Sequence, residues 1–485
     1  MLTAVHLLLR FAGTTFQVFL SRRIGAAGLG LLQLTMSVGS LAMVAGMAGI
    51  RTATMYLTAD KLGRKRPGQV IWVLSGCFGY SLLFSSGFAA ALFLLAPWIA
   101  GNLLSNPDTV YALRLFAAFL PTTCLCGVMT GYFTAAGRIA MLSFVEVAEQ
   151  LLSMGITLAS LWLYAGNDPV RCCICVILGS GLGGCMTLLC LLKLRLGEKP
   201  PRDNPVPVAP SLIATALPLG AADVLKSGIN TAENLMVPKR LALHPGTGSA
   251  LAAFGITSGM VFPVMMFPAC ILFALAELLI PELARCAAAG TSQRIRYLTR
   301  RGLWIALTYG CVFSGLLFLL AEPLCLRLYK STEAASMLRL YALLVPMLYC
   351  DAIVDAMTKG LGQQRICVCY NIFTSVLDVA MLFFLLPRYG MMGYFLSFTI
   401  SHLVNFCLSL GRLLKITAIR IPFYAPALTV AGLLLSMALS GFVPQPHLQA
   451  LAYLGILIPT WYLLGVVNKS TLRWLNRLIF PHRTP

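Results

Sequence analysis

Apolar runs of about twenty residues recur along this chain almost without interruption, and no other feature narrows its folds so far. They fall at 2–20, 30–50, 70–99, 111–134, 142–164, 172–192, 211–236, 250–280, 302–321, 337–358, 366–386, 391–411, 422–441 and 448–467. A run of roughly 18 or more apolar residues is long enough to cross a bilayer as an α-helix. Of the 485 residues, 59% are hydrophobic and 11% charged, whereas soluble domains carry roughly 25% charged residues. The polar connectors are too short to hold a soluble domain. The expected fold is an all-α polytopic membrane protein of about 14 transmembrane helices.

The net charge of +20 would suit nucleic acid, but its placement argues for a membrane. With the N-terminus inside, the cytoplasmic connectors and tail carry 23 of the 36 basic residues. Among them are Lys61, Arg64, Lys65 and Arg66, then Arg285, Arg294, Arg296, Arg300 and Arg301. The opposite side has ten, and Arg10, Arg51 and Lys226 fall within spans. That excess is the positive-inside pattern. It predicts a multi-pass protein of the bacterial inner membrane with both termini cytoplasmic and no nucleic-acid partner. The first run has no basic stretch before it, and Ser21-Arg22-Arg23 follows where a cleavage site would need small residues, so it is expected to be retained. The sixteen cysteines lie mostly inside apolar runs, where they act as small apolar side chains. The tight cluster Cys172, Cys173 and Cys175 has no histidine or second thiol pair near it in sequence, so no metal is expected.

One phrase occurs twice. LRLFAAFLP (Leu113–Pro121) returns as LRLYALLVP (Leu338–Pro346), an offset of 225 in the numbering. At the same offset Gly137 matches Gly362, and Glu146, Gln150 and Ser153 match Asn371, Ser375 and Asp378. The spacing i, i+4, i+7 puts each trio on one helix face. The offset maps spans 1–6 onto spans 7–12. Six is even, so both copies would insert the same way up, as a parallel repeat about an axis normal to the membrane. Two such bundles enclose a central cavity and rock between inward and outward access. The expected organisation is a six-helix lobe at 1–195, a cytoplasmic linker at 196–210, a second lobe at 211–415, and helices 13–14 with a tail at 416–485. Pro121 and Pro346 are expected to kink their helices alike.

Ionisable groups inside spans are costly and should face the bundle interior or water. Asp223, Lys226, Asn230 and Glu233 line one face of the seventh span, and read as a cavity wall. The blander reading makes Asp223 and Lys226 a self-neutralising i, i+3 pair. Arg10 and Gln17 share a face of the first span, and Arg51 stands at the end of the second. Such arginines suit phosphate because the guanidinium fork binds it bidentately. Asp351, Asp355 and Lys359 step by four in the tenth span, and those carboxylates could hold a coupling ion. Glu146, Glu149, Asp378, His402 and Asn405 are further candidates, each readable as an interhelical hydrogen bond. The five histidines are scattered, and no P-loop, H-E-x-x-H or nucleophile elbow occurs. No catalytic residue and no cofactor is expected. A coupling ion or the membrane potential would have to supply the energy.

Four segments resemble the stage V sporulation protein B family. They are RRIGAAGLGLLQLTMSVGSLAMVAGMAGI (22–50), GYFTAAGRIAMLSFVEVAEQ (131–150), ELLIPELARC (277–286) and GLGQQRICVCYNIFTSVLDV (360–379). That family stands with polysaccharide and lipid-linked sugar flippases in the multidrug/oligosaccharidyl-lipid/polysaccharide superfamily. The resemblance implies fourteen helices in two lobes and export of a polyprenyl-diphosphate-linked glycan, such as a peptidoglycan precursor. In the related lipid II flippases, arginines of helices 1 and 2 line the cavity, and Arg10 and Arg51 match that placement approximately. The implied partners are the lipid-linked glycan, the bilayer and proteins of cell-wall synthesis. Two alternatives are a drug/cation antiporter of the same superfamily and a non-transporting scaffold for cell-wall synthesis.

Overall fold

The computed structural model describes residues 2–166, 168–197, 208–246, 248–419 and 424–466. Most of the expected linker and the basic tail from 467 lie outside them. All regular structure among the described residues is helical. The first stretch holds α1 (Leu2–Met47), α2 (Ile50–Gly63), α3 (Val70–Trp98), α4 (Val110–Ala135), α5 (Ile139–Ser160), α6 (Pro169–Leu196), α7 (Ala209–Leu241) and α8 (Ala250–Gly255). There follow α9 (Phe262–Met266), α10 (Cys270–Ala288), α11 (Ser292–Leu319), α12 (Ala321–Tyr329), α13 (Thr332–Ala342) and α14 (Val345–Gly360). The last are α15 (Gln364–Thr417), α16 (Tyr424–Ser440) and α17 (Pro446–Leu463). Among the described residues eight helices are long and apolar enough to cross a membrane, and two bent pairs qualify as further spans. Leu83, Leu94 and Trp162 stand exposed on the surface, where hydrocarbon would solvate them.

Two of these helices are too long for one crossing. α1 runs for 46 residues and α15 for 54, about 70 and 80 Å at ~1.5 Å per residue, against a core of ~30 Å. Each is broken at a glycine: Gly25 has φ 69° and ψ −177°, and Gly390 has φ 56° and ψ −137°. A side chain could not take that conformation cheaply.

Packing divides the chain into two compact units. The first is Met1–Gly259 with Val379–Tyr394. Its core joins Ile50 and Ala53 of α2, Val73 and Cys77 of α3, Met129 and Phe133 of α4, Leu191 of α6 and Leu212 of α7. The second is Met260–Asp378 with Phe395–Pro485. There Tyr453 of α17 donates its hydroxyl to Cys311 O of α11 at 2.9 Å, and Trp461 donates to Thr429 O of α16 at 3.0 Å.

The offset between the two copies of the sequence phrase returns in the backbone. After α2, the N–H groups of Arg64, Lys65 and Arg66 donate to the carbonyls of Asp60, Leu62 and Lys61. After α10, those of Ala289, Gly290 and Thr291 donate to Arg285, Ala287 and Cys286, every position displaced by that same offset. A second pair of ends is the same: Ala136, Gly137 and Arg138 donate to Tyr132, Thr134 and Phe133, and Leu361, Gly362 and Gln363 to Met357, Lys359 and Thr358. The central residue of every set is left-handed, at φ 56°, 68°, 73° and 77° for Lys65, Gly290, Gly137 and Gly362. These are C-terminal caps closed by a residue in the left-handed region. Ser105 (φ 53°) and Lys330 (φ 54°) form another such pair, and each precedes a capping side chain, Asn106 or Ser331.

The prolines of the repeated phrase behave differently. Pro121 sits inside an uninterrupted α4. Pro346 opens α14 after a break, and α13 and α14 meet at a bend of 57°. Gly310 makes that bend room, because a Cβ there would stand 2.7 Å from Pro346 Cα. The helix between 262 and 288 is interrupted as well, at 267–269. Its freed carbonyls are answered by hydroxyls: Tyr349 donates to Met265 O and Tyr309 to Pro268 O, both at 2.8 Å. A broken helix at membrane depth needs such partners.

Candidate functional site

In the first unit, small residues bring α1, α2, α7 and α8 into backbone contact. A Cβ on Gly30 would stand 2.3 Å from Leu251 O, and a Cβ on Gly255 would stand 2.0 Å from Ala26 O. Gly30 and Gly255 are separated by the repeat offset, and so are Ala26 and Leu251. The contact is reciprocal, as contacts across a two-fold axis are. Gly220 of α7 lies against Ala48 in the same way, with a Cβ at 2.4 Å from its carbonyl carbon. Thr231 donates to Ser37 O at 3.2 Å and Asn234 to Ser37 Oγ at 3.1 Å. These contacts fix one face of α7 onto α1.

The acidic-basic stripe lies on the neighbouring face. Asp223, Lys226 and Asn230 are exposed and Glu233 is half-buried. Asp223 and Lys226 form no ion pair among the described residues, so the stripe does not neutralise itself by that route. Gln17 donates to Gly259 O at 3.0 Å, which serves a wide helical turn at 256–261. Arg51 is exposed in the first turn of α2, a separate helix that starts after the left-handed Ala48 and Gly49. The expected second span therefore stops short of it. The backbone of Arg51 lies against Gly131 of α4. The side chain of Arg10 is outside the described residues.

A cavity of about 230 Å³ opens between α1, α4, α5 and α6, lined by Met36, Phe119, Cys126, Glu149 and Ser180 among others. Thr187 of α6 donates to Glu149 Oε2 at 2.9 Å. Gly179 and Gly183 let α6 approach α5 closely enough for this bond; a Cβ on Gly179 would stand 2.7 Å from Ser153 O. Glu146, three residues earlier, is half-buried and does not line this cavity. The i, i+4, i+7 stripe of the sequence pointed at Glu146 and named Glu149 only as a further candidate; the glycine pair of α6 is the signal that could have singled out Glu149.

In the second unit the acidic residues are engaged one by one. Asn405 donates to both oxygens of Asp351 at 3.2 Å. Lys359 pairs with Asp355 at 2.5 Å. Ser397 donates to the buried Asp378 Oδ1 at 2.5 Å. The Oδ1 of Asn405 is buried without a partner among the described residues, so the Asp351–Asn405 pair keeps an open acceptor there. His402 lies against Phe398, ring centres 4.2 Å apart.

Residues 19–242 match the polysaccharide biosynthesis protein family and residues 227–384 the MatE family. Stage V sporulation protein B of Bacillus subtilis (strain 168) is 21% identical over 456 residues, which is 92% of this chain and 88% of that protein. Among solved structures, the lipid II flippase MurJ in its inward closed conformation is similar with a TM-score of 0.72 and 12% identity, covering 98% of this chain and 99% of that one. An inward-facing multidrug resistance MATE family transporter of the MOP superfamily has a TM-score of 0.62 and 15% identity, covering 86% and 100%. The chain is similar to stage V sporulation protein B over most of its length, and it is a multi-pass membrane protein that shares the fold of these flippase and transporter structures.

Proposed function

We propose that this protein moves a polyprenyl-diphosphate-linked glycan outward across the cell membrane by alternating access. The observation that carries the reading is the charged face of α7. Each charged group at mid-membrane costs about 2.5–3.5 kcal/mol on insertion scales, so Asp223, Lys226 and Glu233 cannot face lipid and call for a polar cargo or water. The fold shared with a lipid II flippase extends over 98% of the chain, whereas drug transporters of the MATE family cover 86%. That difference favours the flippase over the antiporter. A scaffold has no need of such a stripe.

The organisation that goes with this reading is fourteen spans. Dividing α1 and α15 at Gly25 and Gly390, and counting each bent pair once, turns eight helices and two pairs into twelve spans. The helices α16 and α17 complete the set. Spans 1–6 (1–195) and 7–12 (211–415) are two copies of one lobe, and the four left-handed turns that match at the repeat offset support this. Both termini are cytoplasmic. Arg10 and Arg51 bind the diphosphate, Gln17 shares the face of Arg10 on the first span, and the α7 stripe receives the sugar. Asp351, Asp355, Asp378 and Glu146 are the groups through which a cation would couple to the cycle.

The test is flipping of a fluorescent lipid-linked disaccharide by the purified protein in liposomes. Arg51→Ala and Glu233→Gln, at thermal stability equal to the parent, should each slow it at least tenfold. Flipping at the parent rate in both removes the cargo reading.

A further inference from the structure

The N-terminal turns of α11 carry a set of side chains that the transport reading does not use. Gln293, Arg296, Tyr297, Arg300, Arg301 and Trp304 together surround one open hollow. On a helix these positions form a single face. Arg296, Tyr297 and Arg300 are exposed, and Arg301 stacks on Trp304 at 5.6 Å. The opposite face, with Thr299, Gly302 and Ala306, is buried. The guanidinium groups therefore point away from the rest of the unit.

Three observations set this face apart from basic residues that serve only to orient the chain. First, the charge of Arg296 and Arg300 is left uncompensated among the described residues. The nearby carboxylate of Glu282 is already engaged by Arg285 and Arg294, at 3.1 and 2.5 Å, and Arg296 and Arg300 form no ion pair among the described residues. Elsewhere Arg64 pairs with Asp60 and Lys359 with Asp355. Second, the same helix position in the other copy does without charge. The residues that match these at the repeat offset are Ile71, Trp72, Ser75, Gly76 and Gly79, so the fold does not require arginine here. Third, the face stands at the start of the apolar part of α11. Tyr and Trp are the residues that settle at headgroup level, and arginine there meets phosphate.

We propose that this face is a binding site for the headgroup of an anionic phospholipid. Arg296 and Arg300 hold the phosphate as a fork, one turn apart. Tyr297 and Trp304 pack on the glycerol and the first acyl carbons, and Arg301, stacked on Trp304, sets the ring. A zwitterionic lipid brings its own ammonium to the same place and is disfavoured by the surrounding arginines. The proposal depends on membrane insertion alone and holds whatever cargo the protein moves.

Native mass spectrometry of the full chain, released from detergent with added phosphatidylglycerol or phosphatidylcholine, tests it. The parent should retain at least one phosphatidylglycerol about fivefold more tightly than phosphatidylcholine. Arg296→Gln with Arg300→Gln should erase that preference, and Arg296→Lys with Arg300→Lys should keep most of it. Inorganic phosphate at millimolar concentration should not displace the lipid, since it lacks the acyl carbons that Trp304 contacts. An equal preference in the glutamine variant, or none in the parent, overturns the site. Displacement by phosphate would overturn the lipid as its occupant. Unchanged thermal stability in the lysine variant shows that the positions tolerate substitution.

Discussion

Glycines Gly30 and Gly255 show how much of this molecule turns on single missing methyl groups. Each has a carbonyl oxygen of the facing helix within 2.3 Å of where a Cβ would be, well inside any real contact. Membrane helices lack a hydrophobic drive to associate, so close backbone approach through small residues supplies much of their packing. Gly255→Leu should therefore lower thermal stability clearly, by about 1–3 kcal/mol of overpacking or more. Gly79→Ala, with nothing within 4 Å of its Cβ, should be neutral or slightly stabilising. Thermal unfolding in one detergent compares them, and equal melting temperatures would refute the crossing. Tyr349 offers a second residue-scale case. Its buried hydroxyl answers Met265 O beside the break at 267–269. Tyr349→Phe keeps the ring and leaves a buried carbonyl unpaired, which should cost about 1–3 kcal/mol in the same assay.

At the scale of the element, the caps argue from one copy to the other. Lys65 and Gly290 hold the same left-handed position, but only glycine holds it without strain, a difference of about 1–2 kcal/mol. Lys65→Gly should raise the melting temperature and Gly290→Lys should lower it; the reverse order would show that the turns are not equivalent. The sequence already carried one of these turns, because Gly137 and Gly362 align and glycine marks such an end. It hid the other, since nothing about lysine announces a positive φ. The prolines misled for a related reason. Pro121 and Pro346 predict equal kinks, yet a proline bends a helix only as far as its neighbours permit, and the room beside Pro346 comes from Gly310. Apolar periodicity marked the elements well. It placed runs at 2–20 and 30–50 and at 366–386 and 391–411, on either side of the breaks at Gly25 and Gly390. It placed the α7 stripe on one face too. The partners of Asp351 and Glu149 sit on other helices, 54 and 38 residues away, that of Asp378 sits beyond the break at Gly390, and no local pattern announces them.

For the whole molecule, charge placement and the repeat make a joint claim about orientation. Transfer of arginine or lysine across the membrane is opposed, so connectors rich in them stay inside. The turn after α2, with Arg64, Lys65 and Arg66, and its mate after α10, beside Arg285 and Arg294, are both basic. The two share one backbone geometry at the repeat offset. Six spans separate them in the proposed count, so they must lie on the same side. An odd number of spans would have put one basic turn outside. The turns at Ser105 and Lys330 lie one span further on in each copy and belong outside together. Single cysteines at Asn106 and Pro444, in a chain freed of its sixteen native ones, should react with an impermeant maleimide in intact cells. A cysteine at Gly290 should react only after permeabilisation. Labelling of Gly290→Cys from outside, or protection of Asn106→Cys, would break the parity on which the parallel repeat rests. The cycle would then need an inverted repeat, in which the two copies run in opposite senses about an axis in the membrane plane.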